Sequence, residues 1–415
     1  MMAVLCLALI PFVFLLLVTL LPHANAVTRK PIVIVPGVMG SQLEARLHKT
    51  SSSHMYCYKN YDKWYRLWLD MDDILPITQN CFKENIKLHY STSTGRYSDT
   101  EGVDIRVTDF GNTTGIETLD PNIASASYFD VLVEYFVKLG YTRGLDIRAA
   151  PFDWRLGPAE LLERHYFDAL RSLIESTFAS QGNRKVTLLV HSMGALVSHY
   201  FLTTFVTENW KDKYLDQYVT LGGVWAGCSK ALNALISGDT DQIFKLSSRL
   251  YVRPLERSFP SDYWLLPIPS NDTWNTSVVL VTTPTSSYSA YDIHKLIDKL
   301  NYPNGPVMYR GVVKSTPRPF LPPNVTTHCI YGYDLQTAES FHFGDINSFP
   351  NGKPDIGYSK GDGTVSLRSL RVCQKWEGQQ VWPVKSYEMK GADHFGMLDD
   401  RDVLKIIENL VVSSN

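Results

Sequence analysis

A strand that runs into a helix through a single serine constrains this chain more than any other feature. Residues 185–190 read as a buried, β-branched strand, and Ala195 to Thr204 reads as a helix. Between them stand His191, Ser192, Met193 and Gly194. A sharp turn at this point lifts the serine hydroxyl above the edge of a sheet. Gly194 and Ala195 are small enough for the helix to pack close to the strand. The usual G-x-S-x-G pattern is incomplete, because Val190 stands where the first glycine belongs. A Ser-Gly turn that opens an ordinary helix has the same local sequence, so the rest of the chain must decide.

A serine hydroxyl is a weak nucleophile that needs a base, and the base needs an acid to orient it. Downstream, Gly361-Asp362-Gly363-Thr364-Val365 places an acid in a glycine-flanked loop. Gly391-Ala392-Asp393-His394-Phe395-Gly396 then places a histidine between the last strand and the last helix. The order Ser192, Asp362, His394 is that of the α/β-hydrolases. Asp355 and Asp393 compete for the acid's place. His294, His328 and His342 compete for the base, but they lie in a helical stretch or come too early. Two main-chain N–H groups are expected to form the oxyanion hole. One is that of Met193, after the nucleophile. The other is that of Val38, in the Gly37-Val38-Met39-Gly40 loop after the strand at 31–36.

Helical spacing recurs at 128–140, ending at Gly140, at 160–178 and at 399–412. Further strands are expected at 217–221, 278–282, 329–333 and 387–389. Strands alternating with helices predict a parallel sheet covered on both faces. The pattern loosens between 235 and 325, where a cap is expected, with Gly238–Pro260 as the candidate lid.

Residues 3–21 carry no charge, and Ala24-Asn25-Ala26 follows, as at a signal-peptidase site. The expected division is a signal peptide at 1–26 and one catalytic domain at 27–415. That domain carries insertions at 47–85 and at roughly 228–325. Six cysteines occur; with Cys6 in the leader, sequential pairing gives Cys57–Cys81 and Cys329–Cys373. No CxxC pair is present, which leaves no case for zinc. N-x-S/T sequons stand at Asn112, Asn271, Asn275 and Asn324, as in a glycosylated protein of the secretory pathway. The net charge of −2 offers no basis for binding nucleic acid.

The segments Ile34 to Arg46, Ala150-Pro151-Phe152-Asp153-Trp154-Arg155, His191 to Gly194, Trp210 to Tyr214, Ser237-Gly238-Asp239 and Gly361 to Val365 together resemble the lecithin:cholesterol acyltransferase family, on its lysosomal phospholipase side. The resemblance runs from about Pro31 to about Leu410. It implies the triad Ser192, Asp362 and His394, the two disulfides above, and a cap with a membrane-docking subdomain. No cofactor and no metal is implied. The implied activity is phospholipase A and O-acyltransferase, at a membrane or lipoprotein surface. The acyl chain of a glycerophospholipid would pass through an acyl-enzyme to water or to a lipophilic alcohol, ceramide or a sterol. The implied compartment is the lysosomal lumen or the exterior. Two positions depart from the family: Val38, where its branches carry Cys or Asp, and Ala226-Gly227-Cys228, in the segment resembling L-G-A-P-W-G-G. Cys228 is then the free thiol.

The bridged insertion is aromatic and apolar, and Trp68, Leu69, Ile74 and Leu75 are its candidate docking residues. Their alternative role is a small core for the insertion itself. Asp70, Asp72 and Asp73 interrupt this face and are expected to take up protons only near pH 4. A neutral-lipid or carboxylester lipase on the same scaffold is the competing function. A lipid-binding protein without catalysis is disfavoured by the complete Ser, Asp and His set.

Overall fold

The computed structural model describes residues 27–123, 126–239, 248–316, 320–345 and 347–414. The leader expected at 1–26 lies outside the described residues, as does part of the candidate lid. Six strands form the central sheet: β1 (Ile32–Val35), β2 (Ile147–Ala149), β3 (Val186–His191), β4 (Leu215–Leu221), β5 (Thr327–Tyr333) and β6 (Val384–Lys390). Their order is β6-β5-β4-β3-β1-β2, and every neighbouring pair is parallel. The interior strands β1 and β3 are buried along their whole length. A parallel sheet covered on both faces requires that, and their Val, Ile and Leu content supplies it.

Three helices fix the frame: α1 (Asp130–Lys138), α2 (Met193–Tyr200) and α3 (Arg401–Val411). Gly140 follows α1 at φ 94°, a left-handed conformation that glycine adopts without a Cβ clash. The helix expected at 160–178 is two helices, Pro158–Glu163 and Tyr166–Ser180. His165 breaks it at φ 59°. The strand expected near 278–282 forms at Val279–Thr283, outside the central sheet. It joins a four-stranded sheet with Ser286–Ser289, Leu335–His342 and Asp355–Gly361. No helix among the described residues is long and apolar enough to cross a membrane.

Between β1 and α1 the chain builds a separate layer. Strands Leu43–His48, Asn60–Trp68 and Val103–Val107 form a small antiparallel sheet, followed in space by the helix Gln79–Ile86. Cys57 and Cys81 are bridged. Arg155, fully buried, fastens this layer to the frame: its guanidinium donates to Asp153, to Asp99 and to the Ile86 carbonyl. Satisfying a buried guanidinium this completely removes most of the penalty of burying it.

Two expectations need correction. Trp68, Leu69 and Ile74 are not on the surface; they are at most 4% exposed. Trp68 packs edge-on against Trp154, and its indole N–H donates to the Met39 carbonyl at 2.7 Å, so the ring is a strut between insertion and frame. Leu75, at 42% exposed, is the one of the four that meets solvent. The second concerns Cys329 and Cys373, which are brought together as the sequence implied but are buried thiols with no bond between them here. Cys373 Sγ donates to the Leu370 carbonyl at 3.7 Å and lies 4.0 Å from Ser386 Oγ. The free Cys228 is buried as expected.

Candidate active site

Ser192 sits between β3 and α2 at φ 55°, ψ −124°. This strained turn is held by the Ser192 N–H donating to the Leu221 carbonyl (2.9 Å) on the neighbouring strand. Close packing behind it leaves no room for side chains. A Cβ on Gly194 would lie 2.4 Å from the Pro36 carbonyl oxygen, and one on Gly37 would lie 2.8 Å from the Ser192 Cβ. The loop after β1 therefore runs directly against the serine, with Val38 half-buried beside it. Met193 is the first residue of α2, so its N–H has no acceptor within the helix.

His394 Nε2 stands 2.9 Å from Ser192 Oγ, and His394 Nδ1 stands 2.7 Å from Asp362 Oδ2. All three residues are at least 94% buried. Asp362 follows the strand Asp355–Gly361 of the smaller sheet. Its other carboxylate oxygen accepts from the N–H groups of Thr364 (3.0 Å) and Val365 (2.7 Å). The His394 N–H donates to the Asp362 carbonyl at 2.9 Å. Asp393 spends its carboxylate on the turn N–H groups of Phe395 and Gly396. Asp355 pairs across the smaller sheet with His342. His328 lies in β5 beside Tyr387.

Ser192 and His394 open into a cavity lined mainly by apolar side chains. The insertion contributes Phe82 and Ile86, the frame contributes Val38 and Trp154, and the stretch expected as a cap contributes Val252, Leu255 and Phe259. The insertion and that stretch meet over it, where Lys83 Nζ donates to the Tyr251 carbonyl (3.2 Å) and lies over the Tyr251 ring. Two acids that nothing in the sequence pattern singles out, Glu256 and Asp262, stand in the wall. Burial pushes Asp262 up to about 8; burial and the nearby Asp262 push Glu256 well above its ordinary value. Burial therefore favours the protonated form of both carboxyls in acid, so neither adds a charge to the wall that Lys230 and Asp239 also line. Burial also pushes the Cys228 thiol, another wall residue, up to about 11.

Besides the expected Leu75, the candidate docking layer exposes residues that the sequence reading did not name. Met55, Tyr56, Tyr58 and Ile77 are each more than half exposed, and Leu75 lies nearby in sequence. The bridge and an Asn80–Tyr56 hydrogen bond hold the two arms together. Burial first, then Asp70 and Asp72, push Asp73 up to about 6, well above the pH 4 expected from sequence. Of the four sequon asparagines, Asn271 is exposed, and Asn112, Asn275 and Asn324 are half-buried. Among the described residues, His54, Cys57 and Glu84 bring ligand-type atoms together. This set does not fit a metal, because Cys57 is bridged and Glu84 already serves Lys49, Ser52 and Ser53.

Comparison with known proteins adds independent findings. The family model described as lecithin:cholesterol acyltransferase matches residues 64–311 and 312–401. The chain is similar to the lysosomal phospholipase A and acyltransferase of Homo sapiens, with 38% identity over 406 residues, 96% of this chain and 95% of the relative. It is also similar to the phosphatidylcholine-sterol acyltransferase of Rattus norvegicus, with 33% identity over 390 residues, 93% of this chain and 85% of the relative. The solved Tle4-Tli4 complex aligns with 90% of this chain and 96% of its own at 12% identity, with a TM-score of 0.49.

Proposed function

Since the chain belongs to the lecithin:cholesterol acyltransferase family, we propose that it is a phospholipase A and O-acyltransferase working through Ser192, Asp362 and His394. The observation that carries this is the line of hydrogen bonds from Asp362 through His394 to Ser192 Oγ, ending at an apolar cavity. His394 Nε2 takes the hydroxyl proton as Ser192 Oγ attacks a glycerophospholipid ester carbonyl. The N–H groups of Val38 and Met193 receive the oxyanion. His394 returns the proton to the leaving lysophospholipid oxygen, which gives an acyl-enzyme whose chain occupies the cavity. Asp362 holds the imidazole tautomer and stabilises the imidazolium. Water, ceramide or a sterol then surrenders its hydroxyl proton to His394 as its oxygen attacks the acyl carbonyl, and His394 returns that proton to Ser192 Oγ as the acyl-enzyme ester breaks.

The supporting parts follow the same reading. Residues 27–415 act as one catalytic domain behind a cleaved leader, with the 228–325 stretch as its cap. The tip formed by Met55, Tyr56, Tyr58, Leu75 and Ile77 seats the enzyme on a phospholipid membrane or lipoprotein. Glycans occupy the sequon asparagines. The names of the relatives support a lipid substrate and a place in the secretory pathway or lysosome.

The test uses phosphatidylcholine vesicles with ceramide or cholesterol, over pH 4–8. Free fatty acid, acylceramide or cholesteryl ester is the expected product, and Ser192→Ala should abolish it together with fluorophosphonate labelling. Turnover of soluble esters with no product from any vesicle would replace this function by a carboxylester lipase. Labelling that persists in Ser192→Ala would remove the serine from its role.

A further inference from the structure

A second line of buried hydrogen bonds lies behind the triad. The Gly37 N–H donates to the Tyr128 hydroxyl at 2.9 Å. Tyr128 Oη lies 2.6 Å from His191 Nδ1, and His191 Nε2 lies 2.8 Å from the His394 carbonyl oxygen. A carbonyl only accepts, so Nε2 carries the proton of His191. The neutral ring then accepts at Nδ1, and Tyr128 must donate to it. The hydroxyl's lone pairs are left for Gly37. Every proton along the line has one direction, and every polar atom in it is satisfied. Burial, reinforced by the neighbouring His394, pushes His191 well below its ordinary value, which favours the neutral ring.

The ends of this line are what separate it from ordinary core filling. Gly37 is one peptide before Val38, the proposed oxyanion donor. The other end is the main chain of the base. His191 itself is bonded covalently to Ser192. The His394 N–H is already held by the Asp362 carbonyl, so the bond from His191 fixes the second main-chain polar group of that residue. Tyr128 and His191 are 94% and 100% buried, where a fully satisfied polar network enforces one arrangement.

We propose that His191, acting through Tyr128, is a positioning residue that locks the oxyanion loop and the His394 main chain into one geometry around Ser192. This rests on the serine-acyltransfer reading above. Catalysis needs that geometry because a misplacement of about 1 Å costs roughly 10²-fold in rate. Loosening either end displaces one partner of the nucleophile while leaving the cavity, and hence substrate binding, as it is.

The experiment compares wild type with Tyr128→Phe, His191→Phe and His191→Gln. Active sites are counted with a fluorophosphonate, and kcat and KM are measured per titrated site on a soluble p-nitrophenyl ester. We expect Tyr128→Phe and His191→Phe to lower kcat per site by about 10- to 100-fold with KM unchanged. The labelling rate should slow in parallel. His191→Gln keeps a donor for the His394 carbonyl and should recover a large part of the loss. Wild-type kcat per site in both phenylalanine variants overturns the proposal, even when fewer sites are titrated. A wild type that resists the fluorophosphonate instead refutes the serine reading beneath it. One measurement needs no variant: imidazole ¹⁵N spectra of the wild type at pH 4.5–7.5 should show His191 as the Nε2–H tautomer. An Nδ1–H or doubly protonated ring would overturn the proposal.

Discussion

Replacing Gly37 by alanine tests the construction of the site at its tightest point. The added Cβ would lie 2.8 Å from the Ser192 Cβ, 2.9 Å from the Tyr128 hydroxyl and 3.3 Å from Ser192 Oγ. Carbon atoms prefer about 3.5–4.0 Å, so a displacement of about 1 Å is required. Ser192 cannot supply it easily, because its N–H is bound to Leu221 and it joins β3 to α2. The loop must yield, and Val38 moves with it. A shift of that size is worth about 10²-fold in kcat, or about 2.7 kcal/mol of transition-state stabilisation. Overpacking adds about 1–3 kcal/mol of lost stability. The assay is the rate of fluorophosphonate labelling per folded molecule, read beside the thermal midpoint. A variant that labels at the wild-type rate would show that the loop does not bear on the nucleophile, and the oxyanion assignment would fall with it.

Three further outcomes follow from charge and burial. Folded Asp73 keeps its proton to about pH 6, whereas an unfolded aspartate loses it near pH 4. Folding therefore takes up a proton between those values, and raising the pH from 4 to 6 lowers stability. Discounted for its partial exposure, the loss is about 1–2 kcal/mol; urea titrations of Asp73→Asn should lack this slope. Asp262 ionises at about 8 inside the cavity. KM for a long-chain substrate should therefore rise above that pH, and Asp262→Asn should flatten the rise. Arg155→Met leaves Asp153 buried without its main partner and should cost about 3–5 kcal/mol in denaturant titrations; wild-type stability would show the brace to be dispensable.

The central strands were legible because burial on both faces writes continuous apolar runs, as in Ile32–Val35 and Val186–His191. Ser192, Asp362 and His394 were legible because turn chemistry and chain order accompany them. Tyr128 was not, since it meets His191 across 63 residues of sequence and nothing local marks such a pairing. Trp68 was misassigned for a related reason. An aromatic in an amphipathic insertion has the same sequence signature whether it faces lipid or braces the frame. Its bond to Met39 is a tertiary fact. The wall acids Glu256 and Asp262 lie in the stretch where periodicity lapses, so their burial left no pattern to read. The pairing of Cys329 with Cys373 is expected from order and from the family resemblance; the two thiols meet in the fold without a bond between them.

The acid of the site comes from a strand of the smaller sheet, while the serine and the histidine stand on the central one. Asp362 reaches β5 at Gly332, where a Cβ would lie 3.2 Å from the Asp362 Cβ and 1.8 Å from the Ala392 carbonyl oxygen. The seam between the two sheets thus runs through the site itself. Both sheets feed one apolar core, with Val281 and Phe341 in the same cluster as Ile34 and Val190, so the alignment of the acid with its base is held by packing across that seam. A change that loosens this packing should silence the enzyme by misalignment while all three side chains of the site are still present.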